Sequence, residues 1–166
     1  FVPGTDALSP DSVLVVANGL LTGAPVSTAA RFTVAARSPL TGAYGESEAG
    51  GYFGPELKAA GYEAIVVTGR AATPVYLAIR DGHFELRDAR SLWGREPEEV
   101  QTAIRAELGD SYVRVLQIGP GGENLVRYAA LTNELAHFNG RTGMGAVMGS
   151  KNLKAIAVRG KSRYIR

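Results

Sequence analysis

The chain has 166 residues, of which 45% are hydrophobic and 20% are charged, and its formal net charge is only +2. This length fits one domain, and the composition is that of a folded globular protein. The small charge excess, without a basic run, excludes an evident nucleic-acid-binding surface. No apolar run reaches the roughly 20 residues of a membrane span and the start lacks a signal-peptide pattern, so a cytoplasmic protein with no membrane partner is expected.

Cysteine and histidine usage restricts the chemistry that these residues can support. There is no cysteine, so disulfides and cysteine-ligated zinc or iron–sulfur sites are excluded within this sequence. The two histidines, His83 and His137, lack the spacing of a zinc-binding helix and predict no histidine metal site. The first residue, Phe1, and the turn-rich segment after it indicate a piece of a longer chain.

Patterns in the first half predict strands and one short helix. The strands are expected at residues 13–17, 31–35 and 64–69, where apolar runs are typical of buried strands. A short helix is expected within residues 50–61, because Pro55 is tolerated in a first turn and Gly61 marks a helix end.

The second half predicts a hairpin, a longer helix and further strands. The dipeptide Asp81-Gly82 lies between two alternating segments, which is a strong hairpin signal. An apolar residue at every fourth position predicts a helix from Pro97 to about Leu108. The strands are expected at residues 75–79, 83–87, 113–119, 125–130 and 153–158.

The glycine-rich run at residues 140–151 has two interpretations. Glycines permit close approach, so their backbone N–H groups can form a nest for phosphate, with Arg141 and Lys151 adding positive charge. Alternatively, the run is a helix packed tightly against a sheet, with the glycines and Ala146 removing side chains from the contact. The run alone favours neither. A dinucleotide-binding fingerprint does not fit, because the run leads into a strand instead of following one.

The two halves of the chain resemble each other over about residues 11–70 and 112–160. In each half a strand ends in glycine, an arginine with an aromatic neighbour (Arg31 or Arg127) leads a second strand, and a glycine-rich segment leads into a third. A duplication predicts a pseudo-twofold axis, with each half offering a glycine-lined loop and an arginine. Arginine pairs bidentately with phosphate, so the expected ligand has two similar anionic halves. Chance matching of small and aliphatic residues is the alternative.

Four segments, residues 38–42, 50–58, 118–125 and 140–156, resemble the N-terminal domain of the tungsten-containing aldehyde ferredoxin oxidoreductases. The likeness extends from about Leu8 to Gly160, so one domain is expected over residues 1–166. The resemblance implies an α+β fold of two twisted, largely antiparallel sheets related by an internal duplication, with short helices outside. The Asp81-Gly82 hairpin also favours α+β over a doubly wound sheet.

The resemblance also implies a cofactor and partners. In the family this domain holds two pterin-dithiolene groups that together chelate one tungsten, or molybdenum in some relatives, with magnesium between the cofactor phosphates. The parent enzyme oxidises an aldehyde to a carboxylic acid and passes electrons through a 4Fe-4S cluster to ferredoxin. The implied partners are the remaining domains of the parent enzyme, the aldehyde substrate, ferredoxin and a second copy in a homodimer.

The resemblance assigns three binding segments. They consist of Arg31, then Glu48, Ala49 and Gly50, and then His137, Phe138, Gly140 and Arg141. Glu48 stands where the family often has asparagine, and His137 stands where a family member has arginine. The backbone carbonyls of Glu48 and Phe138 are implied magnesium ligands, and His137 offers a hydrogen-bond donor in place of the arginine.

Three alternatives to these assignments remain. In the first alternative, Arg31 and Arg141 form surface salt bridges and His137 is a packing residue. In the second, the domain is a free-standing, non-catalytic module that binds pterin or another phosphorylated ligand. In the third, it is the equivalent domain of a related tungstoenzyme such as an aromatic acyl-CoA reductase.

Overall fold

The computed structural model describes residues 4–161, which form ten strands and four helices. The strands are β1 (Leu14–Asn18), β2 (Phe32–Arg37), β3 (Tyr44–Ala49), β4 (Ala64–Val67), β5 (Val75–Arg80), β6 (His83–Asp88), β7 (Arg114–Gln117), β8 (Leu131–Asn133), β9 (His137–Asn139) and β10 (Leu153–Arg159). The helices are α1 (Phe53–Ala59), α2 (Pro97–Leu108), α3 (Pro120–Glu123) and α4 (Met144–Ser150). Within this range no helix is long and apolar enough to span a membrane.

The strands form two sheets. The four-stranded sheet has the order β3-β2-β1-β4 and is antiparallel throughout. The six-stranded sheet has the order β6-β5-β10-β7-β8-β9 and is mixed, because β5 and β10 run parallel while its other pairs are antiparallel. The expected α+β class with two largely antiparallel sheets is confirmed.

The main core lies between the two sheets and includes two helices. Its buried side chains come from both sheets and from α1 and α4, among them Val34, Phe53, Leu57, Ile118, Met148 and Ile156. The position of α1 and α4 corrects the expectation of helices outside, since α4 is buried along its whole length and has no polar face to turn to solvent. The longer helix α2 packs on the opposite face of the six-stranded sheet, as expected, through Val100 and Ile104.

The structure differs from the sequence predictions at the strand expected at residues 125–130 and at β3, β8 and β9, which were not predicted. The strand expected at residues 125–130 is wrong, because Leu125 has a φ of +57° and the chain turns at Arg127 before β8 begins. β3 was not predicted, since glycine and glutamate are unfavourable in strands. It forms because all six of its residues pair with β2, with its small side chains buried and Tyr44, Glu46 and Glu48 exposed.

Four strands of each sheet share one arrangement. The order β3-β2-β1-β4 in the first sheet matches β9-β8-β7-β10 in the second, with antiparallel pairing in both and a helix between the third and fourth strand in chain order. Ala17 pairs with Ala64 in one sheet, and Gln117 pairs with Ala155 in the other, which agrees with the last block of the predicted repeat. The internal duplication stays a prediction, and this shared order supports it.

The middle block of the predicted repeat is out of register. Ala17 pairs with Thr33, whereas Gln117 pairs with Thr132. Thr33 therefore corresponds to Thr132, and the residue that corresponds to Arg31 is Ala130, not Arg127. The expectation of one arginine before the second strand of each half is wrong, because strand pairing and not the local motif sets the correspondence.

The glycines of α4 permit close packing against backbone. A methyl group at Gly145 would lie 2.5 Å from the carbonyl oxygen of Ala130, and one at Gly149 would collide with the carbonyl oxygen of Gly122. Helix propensity disfavours glycine, so tertiary packing stabilises this helix. The packing interpretation of the run therefore accounts for these two glycines.

We expect Gly149→Ala to lower the free energy of unfolding by about 1–3 kcal/mol, although alanine is the better helix former, because the added methyl group must displace backbone. The matched control is Gly121→Ala in α3, where the nearest atom to an added methyl group is 4.0 Å away. Urea denaturation of both variants measures the difference. Equal stabilities would contradict the packing explanation.

Candidate functional site

The edge strands β3 and β9 of the two sheets lie beside each other. The side-chain amide of Asn139 donates a hydrogen bond of 2.7 Å to the carbonyl oxygen of Ser47, and the backbone N–H of Arg141 donates one of 3.3 Å to the hydroxyl of Ser47. The hydroxyl of Ser38 donates to the carbonyl oxygen of Thr142 at 2.8 Å. We call this contact between the β3 edge and the β9 edge the junction.

The loop after β3 contacts the β8–β9 hairpin. The side-chain amide of Asn133 donates to the carbonyl oxygen of Gly50 at 3.3 Å. Gly51 has a φ of +90°, and a methyl group there would lie 2.8 Å from Cδ2 of His137. The His137 ring therefore lies against Gly51, and the second and third binding segments expected from the sequence are brought together.

Glu48 and Phe138 occupy corresponding positions in the two sheets. Glu48 pairs with Thr33 across β2 and β3, and Phe138 pairs with Thr132 across β8 and β9. Both Glu48 and Phe138 are exposed. The two residues that the resemblance implied as backbone ligands of one magnesium ion are thus equivalent in strand register.

Arg31 lies directly before β2 and forms an ion pair with Glu48. The distance between the guanidinium and carboxylate is 3.5 Å, and the two side chains are 66% and 55% exposed. This is the salt bridge named above as the alternative for Arg31. Because an exposed pair contributes less than about 1 kcal/mol, an anionic ligand can displace Glu48 at small cost.

The remaining residues of the third segment are open to solvent. Phe138, Gly140 and Arg141 are exposed, whereas Ala49 of the second segment is buried. A methyl group at Gly140 would come no closer than 3.9 Å to another residue, and one at Gly50 would have the same clearance. The backbone on both sides of the junction is thus accessible.

The other basic residue of the glycine-rich run is not available to a ligand. Lys151 is buried, and its ammonium group donates to the carbonyl oxygens of Pro10, Ser12 and Gly69 at 3.4, 2.5 and 3.3 Å. Burial lowers the pKa of Lys151, and the nearby Arg70 lowers it further. This lysine stabilises the loops that it joins, so the part of the run open to a ligand is reduced to Gly140 and Arg141.

Side-chain ligands for a metal are not clustered in the described range. Residues 4–161 contain no group of three or more histidine, cysteine, aspartate or glutamate side chains that could hold an ion. A metal at the junction would need backbone oxygens or ligand atoms supplied by a cofactor.

Sequence reasoning missed Asn133 and Asn139, whose side-chain amides join the β8–β9 hairpin to the loop after β3 and to β3 itself. Both are fully buried and lie in short strands. Their Oδ1 atoms have no hydrogen-bond partner among residues 4–161. Asparagine is depleted in strands, so the spacing Asn-x5-Asn around a hairpin was the available signal.

The comparisons with known proteins identify the family. A family model described as aldehyde ferredoxin oxidoreductase, N-terminal domain, matches residues 1–160. The chain belongs to this family of oxidoreductase domains.

Two tungsten-containing aldehyde ferredoxin oxidoreductases are similar to the chain. The Pyrococcus furiosus protein is 52% identical over 158 residues, and the Pyrococcus abyssi protein is 50% identical over 161 residues. These alignments cover 95% and 97% of the chain but 26% of each relative, so the chain spans about a quarter of their length.

A solved structure also matches. It is the active site complex BamBC of benzoyl coenzyme A reductase in complex with 1,5-dienoyl-CoA, with a TM-score of 0.94 and 40% sequence identity. The match covers 96% of this chain and 24% of that chain.

We expect Asn139→Ala to lower the free energy of unfolding by about 1–3 kcal/mol, because it leaves the Ser47 carbonyl at the junction without its donor. Asn124→Ala is the matched control, since the Asn124 amide donates to a carbonyl within its own turn at the surface. Chemical denaturation of both variants tests this. A loss no larger than in the control would show that the junction contributes little to stability.

Proposed function

We propose that this domain binds the bis-pterin tungsten cofactor of an aldehyde ferredoxin oxidoreductase, across the junction of β3 and β9. The observation that carries the proposal is the proximity of the two expected binding segments at equivalent strand positions, Glu48 opposite Thr33 and Phe138 opposite Thr132. A ligand with two similar halves matches two such edges. Molybdenum in place of tungsten is compatible with the same residues.

The residues at the junction fit an anionic cofactor. Two exposed arginines, Arg31 and Arg141, flank it, and their planar guanidinium groups suit phosphate oxygens. Gly50 and Gly140 leave the backbone open to close approach. The carboxylate of Glu48 would repel a phosphate group bound at Arg31. The repulsion is removed when the Glu48 side chain turns from Arg31 towards solvent or a cation.

The role of these residues is to bind and orient. When bound, the metal centre supplies the two-electron redox change that converts an aldehyde to a carboxylic acid. Arg31 and Arg141 hold the phosphate ends, and the His137 ring, fixed against Gly51, offers a donor between them. The backbone carbonyls of Glu48 and Phe138 would hold magnesium, which would neutralise the remaining charge of the phosphates.

The remaining functions belong to the parent enzyme, for which we propose a cytoplasmic location. Electrons leave through a 4Fe-4S cluster in its other domains to ferredoxin, and two copies assemble as a homodimer. The cysteine-free sequence described above has no ligands for that cluster, so the domain acts with the rest of the enzyme.

We expect Arg31→Ala and Arg141→Ala each to reduce the tungsten and pterin content of the purified full-length enzyme about tenfold, because each removes a charge-assisted contact to phosphate. Metal analysis and pterin fluorescence measure the content. Arg90→Ala is the control, since Arg90 also forms an exposed ion pair, with Asp88. If both variants retained as much cofactor as the Arg90→Ala control, the proposal that Arg31 and Arg141 anchor the cofactor would be contradicted.

A second candidate is the corresponding domain of an aromatic acyl-CoA reductase. The 0.94 TM-score to the benzoyl coenzyme A reductase complex favours it. We expect the full-length enzyme to reduce a ferredoxin-type acceptor with aldehydes and not to reduce benzoyl-CoA. Spectroscopic assays with both substrate classes decide between the candidates, and activity only with the thioester would reverse the choice.

A further inference from the structure

Arg114, the first residue of β7, is half-buried and contacts Tyr52 and Glu134, which lie next to the second and third binding segments. Its guanidinium carbon lies 4.8 Å from the centre of the Tyr52 ring. Its Nη1 also donates to a carboxylate oxygen of Glu134 at 2.8 Å, and the two side chains are 23% and 13% exposed. One planar cation therefore joins two loops that belong to different sheets.

The Tyr52 contact bears on the second binding segment, which ends at Gly50. Tyr52 directly follows Gly50 and Gly51 and occupies the N-cap position of α1, without a capping hydrogen bond from its side chain. Tyr52 is 63% exposed, and one face of its ring lies against Arg114. A cation over an aromatic face is attractive, so this contact restrains the loop that carries Gly50.

The Glu134 contact bears on the third segment. Glu134 and Leu135 form the turn between β8 and β9 with φ angles of +55° and +59°. Residues with side chains rarely adopt this conformation, so contacts around them must maintain it. The ion pair with Arg114 is such a contact, and the turn that it holds leads directly to His137.

We propose that Arg114 is a positioning residue that sets the separation of the Gly50–Tyr52 loop and the β8–β9 turn, and thereby the width of the cofactor site. This inference rests on the proposed function. Arg114 acts behind the direct contacts of Asn133 with Gly50 and of His137 with Gly51. Lysine does not replace it, because a compact ammonium group cannot stack on the ring and bond the carboxylate with the same planar fork.

The test uses the full-length enzyme purified with its cofactor. We expect Arg114→Met, Arg114→Lys and Tyr52→Leu each to lower the pterin content about fivefold, and Tyr52→Phe to retain it because the ring remains. Tyr52 is exposed, so Tyr52→Leu reports on the site even where an Arg114 variant fails to fold. Arg90→Met is the control for loss of an arginine outside the site.

Coupling between the loops gives the decisive readout. In the Arg114→Met background, Tyr52→Leu and Glu134→Gln cause no further loss of pterin, because the shared partner is already gone. Additive losses, or wild-type pterin content in both Arg114→Met and Tyr52→Leu, would overturn the positioning role and leave the proposed function standing. Absence of pterin from the wild-type enzyme would overturn both.

Discussion

The hydrogen bond from the Asn139 amide to the Ser47 carbonyl joins two sheet edges that would otherwise expose unpaired backbone groups. β3 and β9 are edge strands of their sheets, so the contact between them fixes how the two sheets pack against each other. It also brings the Gly50 loop against the β8–β9 hairpin. The same interaction therefore closes the fold and assembles the candidate site.

Small residues make this arrangement possible. A methyl group at Gly45 in β3 would lie 2.8 Å from Cβ of Thr142, and the glycines of α4 meet backbone carbonyls directly. The glycines in the run thus serve the packing beneath the site, while Gly140 at its edge remains open. The packing interpretation accounts for the helical part of this segment, and the proposed binding involves its open end at Gly140 and Arg141.

Local signals predicted the elements that depend on local chemistry. The Asp81-Gly82 turn and the α2 helix, which ends at the left-handed Gly109, are as expected. β3 was not predicted, and α4 was only one of two interpretations of its segment, because pairing with β2 and packing on Ala130 override weak propensities. The counterpart of Arg31 was misassigned for the same reason, since strand register is a property of the whole sheet. The buried amides of Asn133 and Asn139 were missed because their partners, Gly50 and Ser47, are distant in sequence and the Asn-x5-Asn spacing does not specify them.

The proposed function requires that the β3 edge and the β9 edge bind one cofactor together. A crystal structure of the full-length enzyme with its cofactor tests it most directly. We predict one bis-pterin cofactor across the junction, with phosphate oxygens within hydrogen-bonding distance of Arg31 on one side and Arg141 on the other. A cofactor in contact with neither the β3 edge nor the β9 edge would contradict it.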